Sequence, residues 1–119
     1  MKEIFLSSLY LVVLYCLSRF IFEPTYLYFE IWWLDIPMHL LGGAGIASLT
    51  IAILSYKNKK INYKKIVLSI IVVALLWEFY EYISDLIYLG YWNGNWKDTI
   101  SDIFNGLVGA SISYLIYKK

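Results

Sequence analysis

Three pairs of residues, Asp35 with His39, Glu78 with Glu81, and Asp98 with Asp102, recur at spacings of three or four within or beside strongly apolar stretches. At that spacing two side chains share one face of a helix. Carboxylates with an imidazole are the donors of a divalent cation: oxygen ligands suit Mg²⁺, Ca²⁺ or Mn²⁺, and the added nitrogen extends the range to Fe²⁺ and Zn²⁺. Keeping such groups in a membrane helix is costly, roughly 2.5 to 3.5 kcal/mol for an acidic residue at its centre. Protons, a cation or a basic partner must neutralise them, and Arg19 is the natural counter-charge. A bound cation would serve as a Lewis acid or activate water, with Glu78, Glu81 or Asp102 as the catalytic base, so the enzymatic chemistry open to this set is metal-dependent hydrolysis or group transfer.

The elements that must position these residues follow from composition. Hydrophobic residues make up 61% of the 119 positions, charged ones 16%, and mean hydropathy is +0.62. That is too apolar for a soluble domain of this size and describes a small integral membrane protein. A spanning helix needs about 20 apolar residues, and four stretches qualify: Ile4 to Phe22, Leu34 to Tyr56, Ile66 to Leu89, and Thr99 to Tyr117. The expected fold is all-α, one domain over residues 1–119, a bundle of four transmembrane helices. The segment after the first span, Glu23-Pro24-Thr25-Tyr26, lacks a small-residue cleavage pattern, so that span reads as a retained helix. The one cysteine, Cys16, can form no internal disulfide, and no basic, aromatic-interleaved groove for nucleic acid is present.

Lysines orient the bundle. Lys57, Lys59, Lys60, Lys64 and Lys65 crowd the middle loop, with Lys2 near one terminus and Lys118 and Lys119 at the other, so the positive-inside rule puts both termini and this loop in the cytoplasm. The other two loops carry Glu23, Glu30, Trp32, Trp33, Tyr91, Trp92 and Trp96, an aromatic belt for the outer interface of a cell (inner) membrane. Lys97 runs against the trend. Asp35, His39, Glu78, Glu81, Asp85, Asp98 and Asp102 then lie towards the outer leaflet, on polar stripes that include Tyr82 and Asn105 as supporting groups. In lipid such stripes turn inward, and Gly42, Gly43, Gly45, Gly106 and Gly109 allow close helix approach. The second and fourth spans also align, Asp35 with Asp98, His39 with Asp102 and Gly43 with Gly106, which suggests two helix hairpins related about the membrane normal.

Several of these residues have structural readings. Asp35 and Asp98 precede helices and suit N-caps, with Pro37 in a first turn, and His39 suits a hydrogen-bonded interior histidine. Tyr82 and Asn105 suit packing, and Asp85 suits the interface. Glu78, Glu81 and Asp102 are too far inside their helices to cap them. For these the competing reading is a metal-free cluster that shares protons.

The blocks Asp35-Ile36-Pro37-Met38-His39, Trp77-Glu78-Phe79-Tyr80-Glu81 and Trp96-Lys97-Asp98-Thr99-Ile100-Ser101-Asp102, running into Gly109-Ala110, resemble the YjdF-type bacterial inner-membrane family and, more loosely, the VanZ-like family. The likeness covers Trp33 to Ser111. Ile36 stands where the first family has a basic residue, and Lys97 intervenes between Trp96 and Asp98. The resemblance implies a multipass membrane protein in which Asp35, His39, Glu78, Glu81, Asp98 and Asp102 matter; it supplies no reaction, and the VanZ-like part points to the cell envelope.

Three functions remain open on sequence. The first is a divalent-cation site, roofed by the aromatic loops, that acts on phosphoryl or acyl groups of membrane lipids or lipid-linked envelope precursors. The second is a proton- or cation-coupled transporter, against which stand the apolar inner halves of the helices, Ile46 to Ile53 and Val67 to Leu76. The third is a non-catalytic accessory or lipid-binding protein whose polar cluster holds the helices together.

Overall fold

A computed structural model describes residues 1–22, 24–31 and 33–118; Glu23 and Trp32, assigned to the outer loops, and Lys119, assigned to the cytoplasmic end, lie outside the described residues. Helix α1, Lys2–Cys16, runs directly into a π-helical turn, Leu17–Phe22. A short helix α2, Leu27–Glu30, follows Tyr26, whose φ of 59° is left-handed. The remaining helices are α3, Asp35–Tyr56, α4, Tyr63–Tyr88, and α5, Trp96–Lys118. Four segments, α1 with its π-turn, α3, α4 and α5, are long and apolar enough to cross a membrane. The fold is all-α, with no strand among the described residues.

Two helices begin before their apolar runs do, because asparagine caps sit upstream. Asn62 accepts a hydrogen bond from the Lys65 N–H at 3.0 Å, so α4 starts at Tyr63 rather than Ile66. Asn95 accepts from the Asp98 N–H at 2.9 Å and returns a bond from its own Nδ2 to Asp98 Oδ2 at 2.9 Å. Helix α5 therefore starts at Trp96, and Asp98, expected as a cap, is a first-turn residue held by the cap. Asp35 is likewise the first residue of α3, preceded by Leu34, and its carboxyl turns to His39 instead of to the backbone. Counting apolar residues misses a polar first turn.

Helices α3 and α5 form the closest pair, with α1 against α3 and α4 against both α5 and α3. Contacts rise in register, His39 to Asp102, Gly43 to Gly106, Ser48 to Ser113 at 2.9 Å, so α3 and α5 run in the same direction. Their backbones touch where glycines allow it. A β-carbon on Gly43 would collide with the Gly106 carbonyl, and one on Gly109 with the Leu40 carbonyl. The other face of α3 takes α1, where Tyr10 and Leu11 close over Gly45 and the Tyr10 hydroxyl donates to the Leu41 carbonyl at 2.8 Å.

Ala47 and Ile51 of α3, Ile66 and Ile70 of α4 and Ala110 of α5 are buried together towards the lysine-rich loop. Outside, Phe5, Leu68, Phe79, Ile87 and Ile116 all point away from the bundle. So much exposed apolar surface is a liability in water and the normal state of a helix bundle in lipid. The longest dimension, 45 Å, matches a bilayer with its headgroups, about 40 to 45 Å.

Candidate functional site

At the end of the bundle away from the lysine-rich loop, α1, α3, α4 and α5 together line a cavity of about 280 Å³. Asp35 and His39, one turn apart on α3, and Asp102 on α5 meet at its mouth, and their ligand atoms all lie within 4.8 Å of one another. One nitrogen does the joining: His39 Nε2 is 3.3 Å from Asp35 Oδ1 and 3.4 Å from Asp102 Oδ2. The side chains of His39 and Asp102 are 21% and 13% exposed, whereas Asp35 is 49% exposed, so water reaches the cluster from the Asp35 side. The expectation of a buried site is corrected here to a half-buried one. A four-helix module this small leaves its helix ends uncovered.

Glu78 and Glu81 on α4 face the same centre. The Thr99 hydroxyl donates to Glu78 Oε2 at 3.2 Å, and the Glu78 carboxyl looks towards Asp102, Asp35 and His39. Trp77 Nε1–H donates to Glu81 Oε1 at 2.8 Å, and Glu81 is close enough to Glu78, His39 and Asp35 to interact with their charges. Sequence reading assigned roles to neither Trp77 nor Thr99. The first was accessible, since Trp77 and Glu81 are one turn apart; the second depends on how α4 packs on α5.

The other candidates lie elsewhere. Asp98 is exposed and bound to Asn95. Asp85 Oδ2 accepts from the Asn93 N–H at 3.0 Å, which ties the loop after α4 to the helix. Tyr82 is exposed and packs edge-on against Trp92, ring centroids 6.4 Å apart. Asn105 reaches Ser101 Oγ at 3.5 Å. Arg19, in the π-helical turn, lines a separate cavity with Glu81 and Asp85.

The chain matches the family described as predicted membrane protein DUF2238 over residues 4–119, nearly its whole length. It belongs to the DUF2238 family. DUF2238 is the YjdF-like family, so the first resemblance holds, while the VanZ-like one gains no support. Neither a curated protein nor a solved structure matches the chain. The chemistry of this DUF2238 protein therefore has to be read from the cluster itself: three carboxylates from three helices, a fourth beside them, and one imidazole at their centre.

Proposed function

We propose that Asp35, His39 and Asp102, with Glu78 at their side, hold a divalent cation in a pocket that faces the outside of the bacterial inner membrane, both chain termini being cytoplasmic. One observation carries the reading. A single Nε2 offers one proton or one lone pair, yet two carboxylate oxygens stand nearly equidistant from it. A charge-assisted hydrogen bond would draw one of them to about 2.7 to 2.9 Å. Separations of 3.3 and 3.4 Å instead match the ~3.3 Å between ligands around a tetrahedral ion with bonds of ~2.0 to 2.1 Å. A cation among the three would be shared by all of them at once.

The imidazole favours Mn²⁺, Fe²⁺ or Zn²⁺ over Mg²⁺ and Ca²⁺. When bound, such an ion polarises a phosphoryl or acyl oxygen and makes water a better nucleophile. Glu78, positioned by Thr99 and directed at the cluster, takes the general-base role, with Glu81 lining the same cavity. The site sits at lipid headgroup depth with its open side at Asp35, which suits lipids or lipid-linked envelope precursors as substrates. Transport is the weaker reading, because the inner half of the bundle is filled by Ala47, Ile51, Ile66, Ile70 and Ala110.

Elemental analysis of protein purified without chelator tests the proposal. Wild type should carry close to stoichiometric divalent metal, Asp102→Asn should lose most of it, and Asp98→Asn should keep it. Negligible metal in the wild type, or equal loss in both variants, contradicts the assignment.

A further inference from the structure

The cavity beside the carboxylate cluster has two unlike parts. Asp35, His39, Glu78, Glu81 and Asp102 line its outer part, and Leu11, Leu14, Ile46, Ile70, Val73 and Ala74 line the part below them. From Asp35 to Ile46 on α3, and from Glu81 to Ile70 on α4, the lining runs about 16 Å along each helix at ~1.5 Å per residue, so the cavity is long and narrow. It ends blind. Ile70, 1% exposed, belongs to the buried core that fills the bundle below. One side is open: α1 packs on α3, and α4 on α5 and α3, which leaves a seam between α1 and α4. Val73 of α4 lines the cavity at that seam and is 38% exposed, and one turn above it Trp77 meets Tyr15 of α1 edge-on with centroids 5.9 Å apart.

We propose that the apolar part of this cavity seats the fatty acyl chain of an ester lipid, with the uncharged ester carbonyl at the mouth beside His39 and the carboxylates. Charge selects the ester. Four carboxylates line the cavity and, among the described residues, no lysine or arginine does. A phosphate brought to the same place would add negative charge to an acidic pocket of low dielectric, whereas an ester adds none. Size agrees with a single chain: an apolar cavity of about 150 Å³ takes up benzene, and on that scale 280 Å³ holds a chain of roughly ten carbons. A longer chain leaves through the seam between α1 and α4, where its remaining methylenes stay in hydrocarbon. Left empty, so long a void would cost its lining the dispersion contacts that a chain supplies.

This inference rests on the lipid part of the proposed function and narrows its choice of phosphoryl or acyl groups to acyl. It does not require the cation. The full chain in detergent is photolabelled with a monoacylglycerol that carries a diazirine midway along its acyl chain, with chelator or with Mn²⁺; labelled peptides are mapped by mass spectrometry and bound Mn²⁺ is measured in the same sample. The label should fall on Leu11, Leu14, Ile70 and Val73, and excess unlabelled monoacylglycerol should remove it, an alkyl phosphate of equal chain length being roughly tenfold less effective. Ala74→Leu, which fills part of the apolar lining, should lower the cavity label roughly tenfold, the equivalent of about two displaced methylene groups, with Mn²⁺ binding as in wild type. Label spread over the lipid-facing Leu68, Leu75 and Phe79 without competition, equal competition by the alkyl phosphate, or unchanged cavity label in Ala74→Leu overturns the acyl seat. Competed cavity label without Mn²⁺ binding upholds the seat and removes the cation; Mn²⁺ binding without cavity label does the reverse.

Discussion

His39 is the residue on which the cluster turns, because its Nε2 stands 3.3 Å from Asp35 and 3.4 Å from Asp102. Like-charged carboxylates at close range oppose folding unless something positive sits among them. In chelator, therefore, Asp102→Asn should leave thermal stability unchanged or raise it. With a divalent ion at about 100 times its Kd, wild type should gain ~2.7 kcal/mol and Asp102→Asn almost nothing, read as the shift in unfolding midpoint in detergent. Much of this was readable from sequence, since the turn-length spacing of Asp35 with His39 and of Glu78 with Glu81 survives in the helices. The place of Asp98 was not. It shares the same spacing with Asp102, but the Asn95 cap upstream places it in the exposed first turn. Asn95→Ala should accordingly cost about 1 kcal/mol of helix capping, seen in a melt, without changing the metal content.

The pairing of α3 with α5 sets the distance between His39 and Asp102, and glycine sets the pairing. Gly43→Ala would drive a methyl group into the Gly106 carbonyl, whereas at Gly42 the nearest atom is Leu14 Cδ2 at 3.9 Å. Gly43→Ala should destabilise by about 1 to 3 kcal/mol and lower metal affinity; Gly42→Ala should do neither. A denaturation series with parallel metal titration checks both. The sequence marked both Gly43 and Gly106 as places of close helix approach but aligned them as equivalents in a repeat, and their contact with each other is visible only in the packed bundle. The π-helical turn and helix α2 had no such signal: Leu17–Phe22 reads as ordinary apolar helix, and its widened turn is visible only in three dimensions.

The whole molecule is a membrane bundle turned inside out relative to a soluble one, apolar on its surface and polar in a cavity near one end. Span number and class were legible because hydrocarbon thickness imposes a length that composition must satisfy. Helix order around the bundle was not, since it depends on which small residues meet. The orientation we propose from the lysines is measurable in a Cys16→Ser background. A cysteine at Asn93 should react with an impermeant thiol reagent in intact cells, and one at Asn58 should react after lysis alone; the opposite pattern would turn the cavity towards the cytoplasm.

The chain has a single histidine, which turns the central claim into a one-atom question for tag-free protein loaded with Mn²⁺. Pulsed electron paramagnetic resonance on ¹⁵N-histidine-labelled protein should show a directly coordinated imidazole nitrogen, lost in His39→Gln. Bound Mn²⁺ with no ¹⁵N coupling, or no bound Mn²⁺ at all, would contradict a cation held between His39, Asp35 and Asp102.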